Sequence, residues 1–128
     1  MESSSVKEAL EWLDDLYENL PRQKSGEEFL NQMEWHIRRY NVELQAAIRE
    51  ALGIWLSGDH SEKVVYAIEL IDRLSATEYI PELEKIRDEL RSGTSRWPTL
   101  WLSFVEAVID DLRKAEEKKS TKEKGDST

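Results

Sequence analysis

Apolar side chains along most of this chain recur three or four residues apart, and the runs are cut by Pro, Gly or short polar breaks. That spacing puts the apolar set on one side of a helix, whereas a half-buried strand would need every second residue to be apolar. Residues 6–20 carry Val6, Ala9, Leu10, Leu13, Leu16, Tyr17 and Leu20 on one stripe, a serine at or before Ser5 can cap the start, and Pro21 stops the run. Ser25 and Glu28 match a capping box, in which a hydroxyl accepts from an orphan N–H and the acid reaches back. Behind it Phe29, Leu30, Met33, Ile37 and Tyr40 line one side, and Asn41 permits a sharp break. Residues 42–57 place Leu44, Ile48, Ala51, Leu52 and Trp55 together before Gly58.

A second capping-box match, Asp59 with Glu62, opens a helix carrying Val64, Ala67, Ile68, Ile71 and Leu74. After a tight Ser75-Ala76-Thr77 break comes a fifth helix with Tyr79, Leu83, Ile86 and Leu90. Pro81 sits in its first turn, where a missing N–H costs nothing, and Gly93 ends it. Pro98 opens the last helix, with Trp101, Phe104, Val105, Val108 and Leu112 facing in. From Lys114 onward Ala115 is the only apolar residue, and the run from Lys118 reads as a disordered polar tail. The pattern predicts an all-α protein of about six helices in antiparallel pairs. Residues 1–113 form a single helical domain, and residues 114–128 form the end of the last helix and the tail. The capped start and polar tail predict natural chain ends.

A length of 128 residues suits one domain with a core of its own. The chain has no cysteine, which excludes disulfides, thiolate chemistry and Cys-ligated zinc. Its formal charge is −9. Residues 114–128 hold five lysines and four acids, which leaves 13 basic and 23 acidic side chains, a charge of −10, on residues 1–113. A field of that sign repels nucleic acid and anionic membranes, so neither is a partner. The N-terminus is acidic and polar, with no signal-peptide pattern, and no run approaches the roughly 20 apolar residues of a membrane span. The predicted location is cytoplasmic.

No motif carries catalytic chemistry. The two histidines, His36 and His60, belong to no metal-binding spacing, and the five glycines mostly punctuate helices without forming a phosphate loop. Acidic pairs such as Asp14-Asp15 point about 100° apart on a helix and do not make a dyad by themselves. The prediction is a non-enzyme without cofactor or metal.

Residues that break amphipathicity say more. Trp35 projects opposite its helix's apolar stripe, among Glu28, Asn31, Gln32, Arg38 and Arg39, so it is either covered by another helix or offered to a partner. Trp12 flanks its stripe between Glu8 and Asp15. Trp55 and Trp101 lie at stripe centres and read as core, and Trp97 reads as a staple on the last helix. Glu8, Glu11, Asp14, Asp15 and Glu18 line the face of the first helix opposite its core, with Lys7 as the one cation among them. Such a face is either solvated or steers a basic protein partner. The candidate partner-binding set is Glu11, Trp12, Asp14, Asp15, Glu18 and Trp35. Leu102 and Ile109 widen the apolar face of the last helix, which allows a homodimer or adaptor surface there.

Two internal echoes are present. Ser57-Gly58 returns as Ser92-Gly93, and Ile71-Asp72-Arg73-Leu74 resembles Ile109-Asp110-Asp111-Leu112. Spacings of 35 and 38 residues suit a repeating helix pair. The segment 64–91, with its Ala-containing first helix, short turn and Ile80-Pro81-Glu82-Leu83 restart, resembles a HEAT repeat. That resemblance implies a short HEAT-like α-solenoid, with a plain helical bundle as the alternative. In size, acidity and lack of cysteine the chain is also similar in style to bacterial toxin-immunity proteins. This second resemblance implies a module that binds and neutralises a cognate, basic toxin. The alternative is a structural or regulatory helical-repeat subunit. HEAT-like proteins that resemble alkyl-base glycosylases line their concave face with Lys and Arg, which the charge of −10 opposes.

Overall fold

The computed structural model describes residues 4–21 and 25–126, with side chains for residues 5–21 and 25–118. Among the described residues the protein is all-α. Six helices run α1 Ser4–Asn19, α2 Gly26–Arg39, α3 Gln45–Leu56, α4 Ser61–Arg73, α5 Ile80–Ser92 and α6 Trp101–Asp126. Single 3-10 turns, Val42–Leu44 and Thr77–Tyr79, lead into α3 and α5. The chain divides into two compact units, Met1–Leu74 and Ser75–Thr128. The segment that resembles a HEAT repeat straddles this division, with α4 in one unit and α5 in the other.

In the first unit α3 packs against both α1 and α4, and α2 packs mainly on α4. Its sequence suits that place, because Ala47, Ile48, Ala51, Leu52, Trp55 and Leu56 are all buried, a wider apolar face than a surface helix carries. Ala9 and Leu13 of α1, Met33 and Ile37 of α2, and Val64, Ile68 and Ile71 of α4, all fully buried, complete the core. Truncating one such Leu or Ile to Ala costs ~2–5 kcal/mol, from lost transfer energy and the cavity left behind.

Helix starts follow local chemistry, with one shift. Ser25 Oγ accepts from the Glu28 N–H at 3.1 Å, the forward half of the expected capping box. Asn41 Oδ1 accepts from the Glu43 N–H at 3.0 Å and caps the 3-10 turn. For α4 the cap is His60 and not Asp59: the His60 Nδ1 accepts from the Lys63 N–H at 3.3 Å. Glu62 is engaged elsewhere, accepting from the Tyr17 hydroxyl, so the reciprocal box expected of Asp59 and Glu62 has lost its acid. The cap of α1 falls on residues outside those described.

The C-terminal turn of α4 is tied by two arginines. The guanidinium of Arg38 donates to the carbonyl of Arg73 at 3.1 Å, and that of Arg49 donates to the carbonyl of Leu74 at 3.0 Å, occupying carbonyls that a helix end leaves without intrahelical partners.

In the second unit Ile80, Leu83 and Leu90 of α5 and Val105, Val108, Ile109 and Leu112 of α6 form the apolar seam. Gly93 takes φ 75°, the left-handed conformation that ends a helix without a Cβ clash, and the Thr94 N–H returns to the Glu89 carbonyl at 3.0 Å. Arg113 and Arg87 both pair with Glu84, and Arg91 pairs with Glu106.

Two expectations for the last helix change. It begins at Trp101, not Pro98, because the Pro98 and Thr99 carbonyls first accept from Trp101 and Leu102 in a tight turn. Trp101 is consequently half-buried at the helix entrance, stacked on Trp97 with centroids 4.9 Å apart and planes 13° apart, and is not a core residue. The helix also continues to Asp126, through the stretch read as a disordered tail. Lys and Glu dominate that stretch, and both have good helix propensity even where no apolar face exists to bury. Among the described residues, no helix is long and apolar enough to cross a membrane.

Candidate partner-binding face

The acids singled out on α1 separate into two groups. Asp14 turns toward its own protein. Its Oδ1 accepts from the Trp55 indole N–H at 2.8 Å and from the Lys63 ammonium at 3.1 Å, tying α1 to α3 and α4. The same ammonium lies 5.3 Å from the Tyr17 ring centre and 5.5 Å from that of Trp55, within cation–π range of both. Tyr17 also meets Phe29, Trp55, His60 and Tyr66 at 5.8–6.2 Å, and Tyr66 stacks on Phe29 at 5.2 Å. Asp14 is therefore an acceptor at the edge of an aromatic cluster, with its side chain still 40% exposed.

Glu11, Asp15 and Glu18 behave differently. All three are exposed, and among the described residues none of their carboxylates forms an ion pair. Their spacing puts them on one face of α1, three and four residues apart. Glu8 extends this row by one turn and is exposed as well. The row ends beside an aromatic step, for Trp12 is half-buried and stacks on Tyr40, with centroids 4.3 Å apart and planes 27° apart. Burial pushes the Tyr40 hydroxyl above its ordinary pKa, and the negative charge of Glu8 pushes it further the same way.

Trp35 is 50% exposed on the polar side of α2, so of its two predicted fates it takes the uncovered one. Its ring partners are local: the Arg39 guanidinium lies 4.0 Å over the indole, and His36 meets the ring edge at 4.9 Å. Arg39 Nη1 also donates to the Trp35 carbonyl at 3.2 Å. Among the described residues Trp35 makes no ring contact with α1, so the candidate set falls into an α1 row and a separate α2 spot. Val42, 82% exposed just past the end of α2, adds an apolar side chain.

The flank of α2 next to Trp35 is closed by internal charge pairing. Glu34 accepts from Arg38 Nε at 2.7 Å and from Arg73 Nη1 at 3.2 Å. Burial alone would push the Glu34 carboxyl up, but the hydrogen bonds and charges of Arg38 and Arg73 outweigh it and hold it below the usual carboxylate range. Glu69 on α4 is pushed up by burial, against the charge of Arg73 and with that of Glu27.

Sequence reasoning missed Tyr40 and Arg39 as parts of the face. Arg39 had a visible signal, the i,i+4 spacing from Trp35, which places a cation over the ring when the helix forms. Tyr40 had none, because its stack on Trp12 joins residues 28 positions apart. Among the described residues no three His, Asp or Glu side chains are placed to hold a metal ion. No protein-family model, curated protein or solved structure matches the chain.

Proposed function

We propose that the protein is a non-enzymatic protein-binding module that docks a basic partner through the acidic row of α1 and a separate spot on the exposed side of α2. The observation that carries this reading is Trp35, a large aromatic side chain left half exposed where its helix is otherwise polar. Trp and Arg dominate the energetic centres of protein interfaces, and here they stand stacked together. The exposed row of Glu11, Asp15 and Glu18 supplies a long-range attraction that raises association rate for a cationic partner. The likeness to toxin-immunity proteins gives this function its most concrete form, occlusion of a basic bacterial toxin.

Co-expression with basic proteins encoded beside the gene tests the proposal. The expected outcome is a complex that survives size exclusion and protects the host cell from the partner. Trp35→Ala should then weaken binding by about 30-fold, the loss of a typical interface anchor. The double variant Glu11→Lys, Glu18→Lys should slow association by about tenfold at low salt and much less at high salt. Absence of both complex and protection ends the immunity reading.

A further inference from the structure

Arg39 is the least expected member of the candidate set, because it is a cation where the α1 row offers acids. Its neighbour Arg38 is consumed internally by Glu34 and by the carbonyl of Arg73. Arg73 is consumed by Asn31 and Glu34. Arg39 has no carboxylate partner among the described residues, yet it is held in place twice, by the Trp35 ring at 4.0 Å and by the Trp35 carbonyl at 3.2 Å. A guanidinium lying over an indole keeps for another group the N–H donors that the Trp35 carbonyl does not take, and because the stem is already ordered, little entropy is lost when that group arrives.

The fitting acceptor is planar and bidentate, which means a carboxylate or a phosphate. Charge decides between them. Residues 1–74 hold 15 acids and eight bases, and exposed acids of α1 belong to the same compact unit. A polyanion meets that field at every phosphate, whereas one carboxylate on a basic protein meets it once. The half-exposed indole beside the cation asks for an apolar group next to the acid. Resting on the binding-module reading above, we infer that Trp35 and Arg39 form a clamp for a single Asp or Glu side chain of the partner, carried beside an aliphatic or aromatic residue. The partner then has a two-signed footprint, with bases opposite Glu11, Asp15 and Glu18 and one acid opposite Arg39.

Short random peptides displayed on phage, panned against the full chain, provide the probe. Enriched peptides are expected to share an Asp or Glu adjacent to Leu, Phe or Trp. Changing that acid to its amide, or Arg39→Gln in the protein, should weaken binding about tenfold, and Arg39→Lys should restore only part of it because the planar fork is gone. Circular dichroism melts of the variants keep folding out of the comparison, since Arg39 is exposed. Enriched peptides that are purely basic and respond to Glu11→Lys, Glu18→Lys but not to Arg39→Gln end the clamp while leaving the basic docking face standing. Tight Arg39-dependent binding of a labelled oligothymidylate replaces the carboxylate by phosphate and overturns the assignment. Failure to enrich any peptide ends the clamp, and the binding module falls with it only if co-expression also yields no complex.

Discussion

Two tryptophans of the first unit stand in opposite circumstances. Trp55 is buried, and its N–H, its ring face and the charges beside it are all used within the protein, by Asp14 and Lys63. Trp35 is half exposed, and the cation over its ring, Arg39, has donors left for another molecule. Both pair an indole with a charge, yet a closed arrangement contributes to stability and an open one is available for contact. Aromatic and charged residue types alone do not distinguish the two; the accounting of their partners does.

The sharpest way to break this contrast is to remove each ring. Trp55→Ala should cost ~3–5 kcal/mol in denaturant unfolding, while Trp35→Ala should stay within about 0.5 kcal/mol of the parent. A large loss from Trp35→Ala would place that ring in the core and remove it from the docking face. Next in size is Asp14→Ala, which leaves the Trp55 N–H without its acceptor and the Lys63 ammonium without its partner. About 1–3 kcal/mol should be lost, against almost nothing for Glu18→Ala, and equal values for the two acids would return Asp14 to the solvated face.

Smaller effects come from the charges of the closed side, and here the pH dependence carries the information. The Glu34 carboxyl is held below its ordinary range, so its contribution is present above the unfolded-state value and is lost as pH falls through the lower folded value. Glu34→Gln should cost about 0.5–1 kcal/mol near neutrality, with the gap from the parent narrowing in acid. Glu69 is shifted the other way by burial, so the fold favours its neutral form, and that advantage is lost as pH rises through the folded value. Glu69→Gln should therefore stabilise slightly near neutrality and lose that gain in acid. Melting curves of both variants across the acid range would show two gaps of opposite sign, and gaps of the same sign would contradict these environments.

Helix caps show how far local reading reaches. Ser25 and Asn41 accept the N–H groups two or three residues ahead because the whole interaction is written in adjacent residues. The α4 cap moved from Asp59 to His60 because Glu62, which a capping box needs, is taken by Tyr17, 45 positions away. Trp101 misled for a related reason: its stripe position is central, but the helix starts there instead of three residues earlier, and stacking on Trp97 takes the place of core contact.

The class of the fold was legible in the chain, since a 3.6-residue apolar period with Pro, Gly and Asn breaks leaves helices as the way to bury those side chains. Legible too were the place of Trp35 opposite its stripe and the crowding of acids on one side of α1. That Asp14 is taken up by Trp55 and Lys63, that Trp12 lies on Tyr40 and that Arg39 stays open while Arg38 and Arg73 are consumed came from the packing of the helices. The physical reason is range. Periodicity and capping are properties of neighbouring residues, but whether a charge is satisfied or an aromatic covered depends on which distant helix arrives beside it.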